Sequence, residues 1–238
     1  IYDHIVRSLT KRSTDDNKSI LITAGATREF IDGVRFITNL STGNTAATIA
    51  DHLSSLGYKI TYLHGMNTLL PQNKSNNIPF SDFDNIKNQL QDILANNHYD
   101  AIFHLAAISD YRVSELLKSG KPINSEKQTK IGSEIEDLMI KLKPTSKIVD
   151  KIKSSSKNKN VLLFAFKFSG SSSLSDSKKE VAKLFKHSVA DYVILNHLKD
   201  RTKKGVQSNF YVFDKSGLLQ NITSSTELAN VVEQIIKK

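Results

Sequence analysis

The stretch ILITAGATREFIDGVRFITNLSTGNTAATIADHLSSLG, Ile20–Gly57, joins two apolar patterns through a long polar one. Ile20–Ala24 is a compact apolar run closed by Gly25, which reads as a strand buried on both faces. Ala46, Ile49, Ala50, Leu53 and Leu56 recur at spacings of three and four, which predicts a helix that Gly57 can end. Strand followed by helix is the repeating unit of a parallel sheet. The connection between them is anomalous: it runs about seventeen residues where two to six are usual.

Outward from this unit the alternation continues. Strands are predicted at Tyr58–Leu63, Asp100–Ile108, Val161–Phe168, Asp191–Asn196 and Phe210–Asp214, with a half-exposed strand from Leu138. Helices are predicted at Asp82–Asn97, from Thr145 to about Lys153, around Val181–Phe185, and at Ser224–Lys237. Ile1, Ile5 and Leu9 suggest a leading helix, joined by a polar link that ends near Lys18. Residues 64–80 read as a loop, and Tyr111–Ile135 is polar, lysine-rich and ill-defined. The expected architecture is α/β: a Rossmann-like, mostly parallel sheet with helices on both faces, plus a smaller strand or flap element. The 238 residues are expected to form one domain.

Composition narrows the chemistry. There is no cysteine, so disulfides, thiolate metal sites and a cysteine nucleophile are excluded, and a reducing cytoplasmic setting is expected. The seven histidines form no HxxxH or HxH pair, which argues against zinc. The longest apolar run is VLLFAF, Val161–Phe166, far short of the roughly eighteen residues of a membrane span. The opening IYDHIVRSLTKR lacks the apolar core of a secretory leader. A net charge of +9 suggests an anionic partner. Its lysines cluster in polar segments without interleaved aromatics, so a nucleic acid is not the expected one.

In open parallel sheets, ligands bind beyond the carboxyl ends of strands. That places Gly25–Thr42, Ala106–Arg112, Phe166–Gly170 and Asn196 near one another. Arg28 and Arg35 offer forked donors to phosphate or carboxylate. Ser41, Thr42 and Gly43 stand where a helix begins, and free backbone N–H groups there favour an anion. A dinucleotide fingerprint would need G-x-G-x-x-G after the first strand and an acid ending the second. This chain has AGATRE and LHGMN instead, which leaves an NAD(P)-dependent oxidoreductase as the weaker alternative.

TAGATREFIDGVRFITNLSTG, Thr23–Gly43, closely resembles the signature of the phosphopantothenoylcysteine synthetases. LAAISDYR (Leu105–Arg112), EKQTKIGS (Glu126–Ser133), LLFAFKF (Leu162–Phe168) and ADYVILN (Ala190–Asn196) are similar to further motifs of that family, in the same order. The resemblance covers about residues 19 to 236. It implies a ligase of coenzyme A biosynthesis that uses CTP or ATP with Mg²⁺. Such an enzyme activates the carboxylate of 4′-phosphopantothenate as an acyl-nucleotide and condenses it with L-cysteine, releasing pyrophosphate and the nucleoside monophosphate.

The resemblance also implies roles. Asn39 would hold the pantothenate moiety and the acyl intermediate, and Arg35 would reach the substrate phosphate from the neighbouring subunit of a homodimer. Ala106, Ala107 and Asp110 would contact the substrate, with Asp110 also near the metal. Gly25, Ser41, Gly43 and Ala46 would approach the triphosphate, and Phe166 and Asn196 the nucleotide. Lys130 or Lys127, in a mobile flap over residues 112–135, would act on the acyl-phosphate. Two departures stand out. Many members have GG or GP at Gly25-Ala26, and a further glycine where this chain has Asn44, Thr45 and Ala46. The decarboxylase that accompanies bacterial members uses a cysteine, so the synthetase alone is expected here.

Overall fold

A computed structural model describes residues 18–123, 130–132, 134, 137–171, 173–202 and 205–238. The expected leading helix and Lys127 lie outside the described residues. The first strand, β1 (Ser19–Ala24), is buried along almost its whole length, as its unbroken apolar run requires. It sits inside an eight-stranded sheet of order β13-β12-β11-β10-β6-β1-β4-β5. Here β4 is Lys59–Gly65, β5 Asn76–Phe80, β6 Ala101–His104, β10 Leu162–Ser169 and β11 Tyr192–His197. All of these pair in parallel, while β12 (Phe210–Asp214) and β13 (Gly217–Ile222) close one end antiparallel. Going out from β1, the chain builds first through β4 and β5, then turns back through β6. The β1/β6 boundary is therefore the topological switch point, where a crevice opens in such sheets.

Two apolar layers cover the sheet. Helices α1 (Asn44–Ser55) and α5 (Ser225–Lys237) lay Ile49, Leu53, Leu228 and Val232 over Ile22, Phe103, Phe164 and Ile194. On the other face α2 (Phe83–Asn96) brings Ile86, Leu90 and Leu94 onto Leu21, Ile102 and Leu163. A 3₁₀ turn at Ile148–Lys151, the short α3 (Ile152–Ser155) and α4 (Leu174–Ser188) complete that layer through Ile148, Ile152 and Val181. The helices start where side chains satisfy free N–H groups. Asp82 accepts from Asn85 N, Ser173 from Asp176 N, and Ser224 from Glu227 N, with Glu227 reaching back to Thr223 N.

Several elements differ from the sequence reading. Residues 64–80 contain β5, a polar edge strand that tolerates Pro79 because its outer side needs no ladder donor. Tyr111–Ile135 contains β7 (Tyr111–Lys118) and β8 (Lys121–Ile123), which join β9 (Leu138–Pro144) in a separate antiparallel sheet. The turn between β7 and β8 has Ser119 at φ 48° and Gly120 at φ 76°, the pair of positive values that a two-residue hairpin demands. Residues 112–123 of the expected flap are thus strand and turn. β13, which forms a hairpin with β12, is also absent from the sequence reading.

Candidate functional site

The long connection after β1 is folded rather than loose. It carries a hairpin, β2 (Arg28–Phe30) with β3 (Phe36–Thr38), closed by Asp32. Asp32 is fully buried and accepts from Val34 N at 2.9 Å, Arg35 N at 2.8 Å, Arg35 Nε at 2.9 Å and Ile131 N at 3.1 Å. The Arg35 guanidinium, followed by these backbone donors, holds the Asp32 carboxyl well below the usual carboxylate range. Arg35 also donates to Ile131 O at 3.0 Å. One aspartate therefore ties the hairpin to Ile131, the residue after Lys130.

From the hairpin the chain returns to a cleft of about 1040 Å³ at the carboxyl ends of β1, β6, β10 and β11. Its floor is pinned by hydrogen bonds from the loop after β6 to the end of β1 and the loop that follows it. Ala107 N donates to Gly25 O at 2.7 Å, Ser109 N to Thr27 Oγ1 at 3.0 Å, and Ala106 N to Thr23 Oγ1 at 3.1 Å. This pinning ends β6 at His104, shorter than the sequence suggests. Asn39 spans the two loops, its Nδ2 donating to Ala107 O at 3.3 Å. A third loop closes in from β11, where Arg201 Nη1 donates to Leu40 O at 2.7 Å.

Gly43 begins α1 at φ 78°, and Gly25 ends β1 at φ 77°. Both conformations favour glycine. Both positions are also occupied from outside: a Cβ on Gly25 would stand 1.9 Å from Thr68 Oγ1, and one on Gly43 2.3 Å from Thr68 Cγ2. Thr68 is wedged between them, and Leu69 N anchors its loop on Thr42 O at 3.0 Å. The glycines thus have a packing reason beside the phosphate reason read from sequence.

Of the residues singled out from sequence, Gly25, Asn39, Ser41, Gly43 and Ala46 line the cleft from the β1 side. Ala106, Ala107 and Asp110 line it from β6, and Phe166 and Asn196 from β10 and β11. Arg35 and Lys130 are not in this cleft. Arg35 lies with Asp32, and exposed Lys130 adjoins the Ile131 that Asp32 and Arg35 hold. Asp110 is exposed and paired with Lys147 at 2.5 Å. Among the described residues no three His, Cys, Asp or Glu side chains gather to hold a metal. The carboxylates that line the cleft are Asp110, Asp150 and Glu180.

The structure adds residues that motif reading missed. Asp32 and Thr68 organise the loops without lining the cleft. His104, Lys183 and His187 line the cleft itself. His104 is buried, and burial pushes its imidazole down to about 4. Ser177 Oγ, His197 and Asp200 resemble a nucleophile–base–acid row: Ser177 lies 2.9 Å from Nε2, and Asp200 3.7 Å from Nδ1. Ser177 and His197 are fully buried, however, so no substrate reaches them.

The switch-point crevice, the glycine-started helix and the bridged strand-end loops define a Rossmann-like α/β protein with its cleft at the carboxyl ends of the strands. The chain belongs to the DNA/pantothenate metabolism flavoprotein C-terminal domain family, whose model matches residues 16–238. It is 30% identical over 199 residues to the coenzyme A biosynthesis bifunctional protein CoaBC of Thermococcus kodakarensis. That alignment takes in 82% of this chain and 45% of the relative, so the chain spans about half the length of this curated relative. The structure of the DNA/pantothenate metabolism flavoprotein from Streptococcus pneumoniae superimposes with a TM-score of 0.78 at 27% identity, covering 92% of this chain and 98% of that one. A Cab2 H337A mutant in complex with phosphopantothenate-cysteine shares the fold, with a TM-score of 0.73 at 18% identity over 99% of this chain and 90% of that one.

Proposed function

We propose that this chain is a phosphopantothenate–cysteine ligase. The carboxylate of 4′-phosphopantothenate attacks the α-phosphorus of CTP or ATP, forming an acyl-nucleotide and expelling pyrophosphate. The cysteine amine then attacks the acyl carbon, forming the amide and releasing the nucleoside monophosphate. The observation that carries this reading is the bridge from Asn39 to Ala107, which sets one amide side chain across the switch point between the anion-accepting start of α1 and the β6 loop. Family membership and the bound phosphopantothenate-cysteine named for the Cab2 structure support the choice of substrate.

In this reading Asn39, Ala106, Ala107 and Asp110 hold the pantothenate end. Gly25, Ser41, Gly43 and Ala46 face the triphosphate, and Phe166 and Asn196 the nucleoside. Asp110 would stand beside a magnesium ion bound to the triphosphate, and that ion would neutralise part of the phosphate charge. Catalysis is then mainly alignment of polyanions and stabilisation of charge.

Arg35 and Lys130 act from outside the chain's own cleft. This fits a homodimer in which the hairpin of one copy reaches the other's site. Val34 (59% exposed), Phe36, Ile37 and Leu40 (84% exposed) form an apolar flank around that hairpin, consistent with burial against a second copy. Among the described residues no helix is long and apolar enough to cross a membrane.

The test is pyrophosphate release from the purified protein with Mg²⁺, 4′-phosphopantothenate and cysteine, comparing CTP with ATP and weighing the product. Release together with the mass of phosphopantothenoylcysteine is expected. No release from folded, dimeric protein would remove the reading.

A further inference from the structure

His104 is the buried ionisable side chain at the floor of the cleft, 8% exposed, and none of the roles above uses it. Its ring is held in one tautomer by its neighbours. Nδ1 lies 2.9 Å from Thr23 Oγ1, and the same hydroxyl already accepts the N–H of Ala106. Thr23 has one hydrogen to give and, among the described residues, makes no other hydrogen bond with this group. If Nδ1 carried the proton, the buried hydroxyl hydrogen would be left without an acceptor, which is costly. So Thr23 donates to Nδ1, and the ring proton sits on Nε2. Among the described residues Nε2 has no protein acceptor. Nε2 is nevertheless not sealed off, so it keeps accessible surface on a ring that lines the cleft.

We propose that His104 is a ligand-binding residue of the cleft, donating its neutral Nε2–H to an anionic oxygen, carboxylate or phosphoryl, of the bound substrate. The proposal rests on the ligase reading, which brings both kinds of oxygen to this floor. Burial keeps the free imidazole uncharged at neutral pH, so the donor is present without a buried charge to desolvate. An anion placed on Nε2–H favours the imidazolium, and the ring should therefore titrate at higher pH once the ligand is bound.

The experiment follows the ring nitrogens of His104 by NMR in the full chain labelled with ¹⁵N-histidine, assigned by comparison with His104→Gln. The probes are 4′-phosphopantothenate, pyrophosphate, and ATP or CTP with Mg²⁺, each added alone. In the free protein the proton is expected on Nε2, and a binding probe is expected to move that resonance and raise the titration. A response to 4′-phosphopantothenate alone assigns the bond to that substrate. A shared response to pyrophosphate and nucleotide assigns it to the triphosphate. His104→Leu should weaken the same probe by about tenfold or more, the scale of a hydrogen bond to a charged group, with His104→Gln recovering part. Three results would each overturn the proposal: a proton on Nδ1 in the free protein, probes that bind while His104 stays unmoved, or unchanged affinity in a folded His104→Leu protein. If no probe binds the native protein, the ligase reading falls and this inference falls with it.

Discussion

Asn39 and Gly25 act at the scale of single residues and should fail in different ways. Asn39 is exposed and makes one long bond, so Asn39→Ala should leave the urea midpoint unchanged. Turnover in the pyrophosphate assay should nevertheless fall by about a hundredfold or more, the usual loss of one preorganised donor. Near-normal turnover would remove Asn39 from the mechanism. Gly25→Ala must accommodate both a left-handed backbone and a Cβ 1.9 Å from Thr68 Oγ1. A loss of about 2–4 kcal/mol is expected in urea unfolding. Adding Thr68→Ala should return the steric part, and strict additivity of the two changes would argue against the wedge. Val189 is the converse case, a β-branched residue at φ 55° just past α4, where glycine is usual. Val189→Gly should stabilise the fold by about 1 kcal/mol, read from the same urea curves.

At the scale of elements, the β2–β3 hairpin depends on one side chain. Asp32→Asn weakens its acceptance from the Arg35 guanidinium and loosens the Val34, Arg35 and Ile131 amides together. Hydrogen exchange at those three amides should accelerate, while Leu21 and Ile22 in β1 stay protected. Uniform acceleration would mean that the aspartate supports the whole domain and not the hairpin. This hairpin also marks the limit of what was legible. β1, β10, β11 and β12 were readable because a strand buried on both faces must be apolar throughout, and α2 and α5 because capped amphipathic helices repeat every three to four residues. β5, β7 and β13 were not, because strands at edges or in a solvent-facing sheet carry mixed side chains and owe their pairing to partners far along the chain. The cleft was readable for a related reason. Its residues follow strand ends in a fixed order, so motif position located Asn39, Ala107, Phe166 and Asn196. His104 and Thr68 carry no motif of their own, and their importance exists only in the packed structure.

At the scale of the whole molecule, burial of histidine predicts how acid weakens the fold. His104 has a folded value of about 4 against 6.5 when free. Between those values the unfolded chain binds more protons than the folded one, so stability is full above pH 6.5 and declines as the pH falls toward 4. The ring's contribution to that decline reaches about 3 kcal/mol. His52 is also lowered by burial and acts in the same direction. Asp32, held down by Arg35, loses its contribution only further into acid, as the pH drops through its own depressed range. Urea midpoints at pH 7, 5.5 and 4.5 should therefore fall in sequence, and a flat series would contradict a neutral buried His104. The proposed sharing of sites between copies is tested at the same scale. Mixing Arg35→Ala with Asn39→Ala subunits should restore part of the activity, and no restoration in verified heterodimers would count against sharing.

The order of strands has a consequence during synthesis. β1, β4, β5 and β6 all leave the ribosome before β10, yet β6 needs β10 as its second neighbour, and Phe103 stacks on Phe164 with ring centroids 4.4 Å apart. Roughly sixty residues separate the two strands, which at ordinary elongation rates is about 3–12 s of translation. For that interval the nascent chain carries an open strand edge and an uncovered aromatic face, beside loops that will later form the cleft. Pausing between β6 and β10 would prolong this state, whereas a pause after β10 would find the sheet's centre already closed.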